Sequence, residues 1–97
     1  MSKPTPKYRD RRTARFAGGE RIKEFHAFAL QAERRLDILA SARSIHDLMG
    51  LGSNRFEALL GARAGQFSIR INARWRICFE WPEWSGEALN IEIVDYH

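Results

Sequence analysis

Ninety-seven residues with 44% hydrophobic and 29% charged content exclude a disordered or fibrous chain and fit one small globular domain spanning 1–97. The single cysteine, Cys78, excludes an internal disulfide, and its setting in Ile77-Cys78-Phe79 suits a small buried hydrophobe. A formal charge of +4 predicts an anionic partner. The charge is unevenly spread. Residues 1–23 carry eight bases against two acids, a net +6; residues 55–76 carry five arginines against Glu57, a net +4; residues 77–97 carry five acids and no base. His26, His46 and His97 are scattered and have no second cysteine to join them, so no metal site is expected. The sequence offers no apolar run long enough for a membrane span or a signal-peptide core, and a cytoplasmic protein is the simplest expectation.

Residues 1–9, with two prolines and three bases, read as a loose arm. Asp10 is placed to cap a short helix through about Ala17, which Gly18-Gly19 ends. From Glu20 to Ala42, Phe25, Phe28, Ala32, Leu36 and Leu39 recur at three- and four-residue spacing and predict one amphipathic helix. Ser44 is placed to cap a further helical turn through Leu48, helped by Asp47 as in a capping box. Gly50, Gly52, Ser53 and Asn54 mark a loop.

The period then changes to two. Phe67, Ile69 and Ile71 alternate with Ser68, Arg70 and Asn72; Trp75, Ile77, Phe79 and Trp81 alternate with Arg76, Cys78 and Glu80. These runs predict an antiparallel hairpin, and Leu89, Ile91 and Ile93 a third strand beyond a turn at Pro82–Gly86. Helices followed by strands give an α+β domain, helices packed on one face of an antiparallel sheet. Trp75 falls on the core side. Arg70 and Arg76 fall on the opposite face, where planar guanidinium forks match phosphate oxygens. The last strand delivers an acid, a phenol and an imidazole, Asp95-Tyr96-His97, three proton-handling groups that read as part of a site.

The blocks Asn54–Gly61, Gly65–Asn72, Trp75–Trp81 and Val94–His97 resemble the HigB-type toxins, plasmid-maintenance killer proteins of the RelE/ParE superfamily. The resemblance covers about the last half of the chain in register; before it only the helical layout and Ala32–Leu39 agree. It implies the compact RelE-like fold and cleavage of messenger RNA in the ribosomal decoding site without metal or organic cofactor. It also implies neutralisation by a helix-turn-helix antitoxin of the HigA kind, through which alone the pair reaches operator DNA. By the same likeness Arg76 binds the phosphate and stabilises the transition state, while Asp95, Tyr96 and His97 belong to the active site. His97 is the best acid/base group because it titrates near neutrality. Tyr96 is suited to stack on a base or donate to the phosphate, and Asp95 to orient an imidazole or guanidinium. Arg63, Arg70 and Arg74 are the expected RNA contacts. The basic segment 1–23 suits salt-sensitive attraction to ribosomal RNA, or cover by the antitoxin.

Two departures stand out. Some members carry a catalytic histidine where this chain has Glu57, which either serves as base or pairs with Arg55. Members usually read Leu-Lys-Gly-Asp where this chain reads Leu59-Leu60-Gly61-Ala62, so a phosphate-contacting lysine is replaced by Leu60 and the nearest substitute is Arg63. A weakened toxin is therefore expected, with an eroded co-repressor as the rival and a topoisomerase inhibitor of the ParE branch disfavoured by Asp95-Tyr96-His97.

Overall fold

In the computed structural model, which describes residues 5–96, helix α1 (Arg11–Ala17) begins where Asp10 turns extended and its Oδ2 accepts the Thr13 amide at 3.3 Å. Gly18 closes it by donating to the Ala14 carbonyl. The helix expected over Glu20–Ala42 is two pieces. Lys23–Phe28 winds as a 3-10 helix, and α2 (Ala29–Ser41) follows as a regular α-helix. The physical reason is the apolar spacing. Ile22, Phe25 and Phe28 lie three apart and all are buried, and i and i+3 eclipse in a 3-10 turn. In α3 (Ile45–Met49) Ser44 occupies the cap position without a side-chain bond; Asp47 instead accepts the Arg43 amide at 2.8 Å.

The sheet has four antiparallel strands in the order β1 (Glu57–Ala58), β2 (Phe67–Arg70), β3 (Trp75–Glu80), β4 (Leu89–Asp95). The alternation in the sequence delineates β2, β3 and β4; the two-residue β1 is too short to leave a periodic trace. The β2–β3 turn is set by Asn72, whose Oδ1 accepts the amides of Arg74 and Trp75, each at 2.8 Å. One sheet face packs on the helices. Phe25, fully buried, meets Phe16 and Trp75 edge-on, with ring centroids 5.3 and 5.7 Å apart, and Trp75 also packs on Phe28. Burying such a phenyl ring contributes about 1.5–3 kcal/mol.

The β3–β4 ladder contains one irregularity. Cys78 pairs with Glu92 but Glu80 pairs with Leu89, so β4 carries one extra residue, and Asn90 takes a left-handed φ of 54° there. Asn90 Nδ2 donates to Glu80 Oε2 at 2.6 Å across the bulge. The free edge of β4 is covered by the chain's beginning. The expected loose arm is ordered over Pro6–Arg9: Asn90 and Ile91 amides donate to the Pro6 and Lys7 carbonyls, and the Arg9 amide donates to the Ile91 carbonyl. Lys7 also pairs with Glu87 at 2.8 Å. The reason is edge hydrogen bonding, which composition cannot register. Further along the same edge, the Ile93 amide donates to buried Thr13 Oγ1 at 3.1 Å, fixing α1 to β4.

Candidate active site

On the face away from the helices, direct cross-strand neighbours form rows. One row is Glu57–Ser68–Cys78–Glu92 and the next is Arg70–Arg76–Val94. Where the sheet ends, an open cleft of about 320 Å³ is lined by Arg55, Glu57, Arg70, Asn72, Arg76 and Tyr96, with Ala73 at its edge. A neighbouring, more open hollow of about 440 Å³ shares Tyr96 and is lined also by Arg63, Val94 and Asp95. Only the first cleft brings three arginines together with the phenol.

Arg76 is its centre. Nε donates to Ser68 Oγ at 2.8 Å, and Nη2 to the Arg55 carbonyl at 2.5 Å. Its Cζ lies 5.9 Å from the centroid of the Tyr96 ring, within cation–π range. Among the described residues, two of its five guanidinium N–H groups are thereby committed. Arg55 can present its carbonyl because it adopts a left-handed conformation, φ 47° and ψ 50°. That conformation follows Asn54, fully buried, whose Nδ2 donates to the Leu48 carbonyl at 3.0 Å and whose Oδ1 accepts Arg35 Nη1 at 2.9 Å. The segment leaving the helices is pinned at Asn54 so that the next carbonyl orients Arg76.

Arg70 stands directly opposite Arg76, an arrangement that places like charges side by side. Among the described residues, Arg55, Arg70 and Arg76 form no ion pair with any carboxylate, although Glu57 lines the same cleft. Three arginines against one carboxylate leave the lining net cationic, and the planar fork of a guanidinium is a shape that matches phosphate oxygens. Glu57 is exposed and lies across the ladder from Ser68, so a carboxylate and the three arginines share one cleft.

The remaining expected site residues divide. Tyr96 is 43% exposed and lines the cleft. Asp95 does not line it. It pairs across the ladder with Trp75, which places it on the helix side, and Arg74 grips its carboxylate: Nε lies 2.9 Å from both oxygens and Nη2 2.6 Å from Oδ2. That bonding holds the Arg74 guanidinium above its ordinary basicity. Arg63 is also engaged elsewhere, donating through Nη1 to Glu92 at 3.2 Å and to Gln66 at 3.0 Å; Arg9 approaches the same Glu92 oxygen at 3.6 Å. Leu60 is 86% exposed and outside the cleft lining. His97 lies outside the described residues. Arg55, Ser68 and Asn72 were not expected as site residues, although Ser68 and Asn72 fall on the same open sheet face as Arg70 and Arg76. Their phase with those two arginines is the available signal; Arg55 reaches the cleft through a left-handed backbone that leaves none. Behind the cleft Cys78 is 1% exposed, and burial pushes its thiol pKa up. Among the described residues no helix is long and apolar enough to cross a membrane.

A model of the HigB-like toxin family, described as RelE-like toxin of type II toxin-antitoxin system HigB, matches residues 7–97. Toxin HigB-1 of Vibrio cholerae serotype O1 is 44% identical over 57 residues, 59% of this chain and 58% of that relative. The matched stretch thus spans less than two thirds of the relative's length.

Proposed function

The chain belongs to the HigB-like, RelE-like toxins of type II toxin–antitoxin systems, and from that membership we propose that it is an endoribonuclease that cuts messenger RNA on the ribosome and so halts translation. The observation that carries this reading is the cleft in which Arg55, Arg70 and Arg76 meet Tyr96 with no ion-paired carboxylate among the described residues. The proposed chemistry is in-line attack of a ribose 2′-oxygen on the adjacent phosphorus. The new 2′-O–P bond forms as the P–O5′ bond breaks, a base takes the 2′-hydroxyl proton, and an acid protonates the departing 5′-oxygen. No step calls for a metal ion. Arg76, held by Ser68 and the Arg55 carbonyl, stabilises the charge that builds on the phosphorane; a preorganised donor of this kind is worth roughly 10²–10³-fold. Glu57 at the rim is the base and His97 the acid, each supplying ~10²–10⁴-fold. Tyr96 stacks on a base or donates to the phosphate. The partners are the ribosome with its mRNA and a neutralising helix-turn-helix antitoxin, and the place of action is the cytoplasm.

Expression without antitoxin tests this. Growth arrest with discrete mRNA cuts by primer extension is expected, with cleavage lowered roughly 10²–10³-fold in Arg76→Ala and abolished in His97→Ala. Cuts that persist undiminished in Arg76→Ala would remove the cleft from the reaction. A second reading, an attenuated toxin serving mainly as co-repressor, is favoured by one observation: Arg63, the nearest substitute for a cation at position 60, is bound to Glu92 and Gln66. Full growth with no cuts would favour it.

A further inference from the structure

We propose that Arg74 is a positioning residue for the cleavage step rather than an RNA contact: it clamps the end of β4 so that Tyr96 stands against Arg76. This rests on the endonuclease reading above.

The clamp acts on consecutive residues of β4 and beyond. The Arg74 guanidinium holds the Asp95 carboxylate through a fork contacting both oxygens, and the Arg74 carbonyl accepts the Tyr96 amide at 2.7 Å. Both contacts lie just past the last full ladder pairs, Trp75 with Asp95 and Arg76 with Val94, where a strand end would otherwise fray. Side chains alternate along the strand, so anchoring Asp95 on the helix side commits Tyr96 to the cleft side. Tyr96 then comes within cation–π range of the next residue but one after the clamp, Arg76. Arg74 itself is absent from the cleft lining, and its guanidinium is already engaged. Asp95 on this account is an anchor that orients a guanidinium, outside the lining of the arginine cleft though beside Tyr96 in the neighbouring hollow. An isolated exposed ion pair contributes little to global stability, so the clamp's value lies in geometry.

The test compares Arg74→Gln, Arg74→Lys, Asp95→Asn and the double variant Arg74→Gln/Asp95→Asn. Each is assayed for single-turnover cleavage on mRNA-programmed ribosomes and for Tyr96 amide exchange by NMR. Arg74→Gln and Asp95→Asn are each expected to lower the maximal rate by up to about 100-fold, since misplacement of a reacting group by about 1 Å costs that much. The half-saturating ribosome concentration and the melting temperature stay unchanged. The double variant falls no further than the worse single one, because both act through one contact. Arg74→Lys fails to restore the rate, because an ammonium cannot fork onto a carboxylate. Tyr96 amide exchange quickens in all four. If Arg74 is instead a phosphate contact, Arg74→Gln raises the half-saturating concentration and reduces the salt slope by about one, while Asp95→Asn is harmless; that result overturns the clamp. If the wild-type protein does not cut mRNA, the endonuclease reading falls and the exchange data alone judge the clamp: unchanged exchange in Arg74→Gln overturns it.

Discussion

At Leu60, where the family resemblance leads one to expect a lysine, an apolar side chain stands 86% exposed. The cleft does not include it, so a cation there acts at a distance, through water, and is worth roughly 1 kcal/mol or less. Leu60→Lys is therefore expected to strengthen growth arrest by less than about tenfold, an advantage that shrinks as salt rises. Arrest of equal strength in the two proteins would show that nothing is lost at this position. Arg76 and Tyr96 were legible as residues lining the cleft, the first from strand parity and the family motif, the second from its place at the end of the last strand and the same motif. Arg74 was not. In the sequence it is one more arginine beside a tryptophan, and only the pairing of Trp75 with Asp95 reveals that its partner is a carboxylate 21 residues on.

Elements differ in how much of themselves they write into the chain. The alternation through β2, β3 and β4 is visible because each strand buries one face, and Asp10 announces α1 by its chemistry. The 3-10 turn at Lys23–Phe28 reads as part of the following helix, since a three-residue spacing fits both. The bulge at Asn90 is equally hidden: Leu89–Ile93 alternates in sequence as a regular strand does, while the φ of 54° adds a residue. The connection from α3 to β1 carries the most function for its length. Asn54→Ala would leave the Leu48 carbonyl and the Arg35 guanidinium short of a buried partner and release the Arg55 carbonyl from its place. A stability loss of about 1–3 kcal/mol is expected, read as a lowered urea midpoint with an unchanged slope. Cleavage should fall by more than the unfolded fraction explains. A variant with full activity would show that Asn54 does not support Arg76.

Across the whole molecule, charge is segregated. Bases gather on α1 and in the cleft, while Glu80, Glu83 and Glu87 cluster at the β3–β4 turn. Such a polarity orients approach to a polyanion before any contact is made. The sheet's ends are managed separately: Pro6–Arg9 occupies the β4 edge that would otherwise recruit another strand. Among the described residues, removing 5–9 costs three backbone hydrogen bonds, worth roughly 0.5–1.5 kcal/mol each. About 1 kcal/mol already lowers the melting temperature by roughly 4–8 °C in a domain this size, so a fall of at least that much is expected. Self-association in size-exclusion chromatography should accompany it. An unaltered melting temperature and a monomeric profile would mean the edge needs no cover. The bulge at Asn90 has a consequence for how such chains can change length. Beyond it, every residue of β4 is phased against β3, so inserting or deleting one position between Ile91 and Tyr96 would exchange anchor for cleft wall. At Asn90 the extra residue is already looped out of the ladder, so a length change there leaves the downstream phase intact. That makes it a natural place for insertions and deletions to accumulate among relatives without disturbing the cleft face.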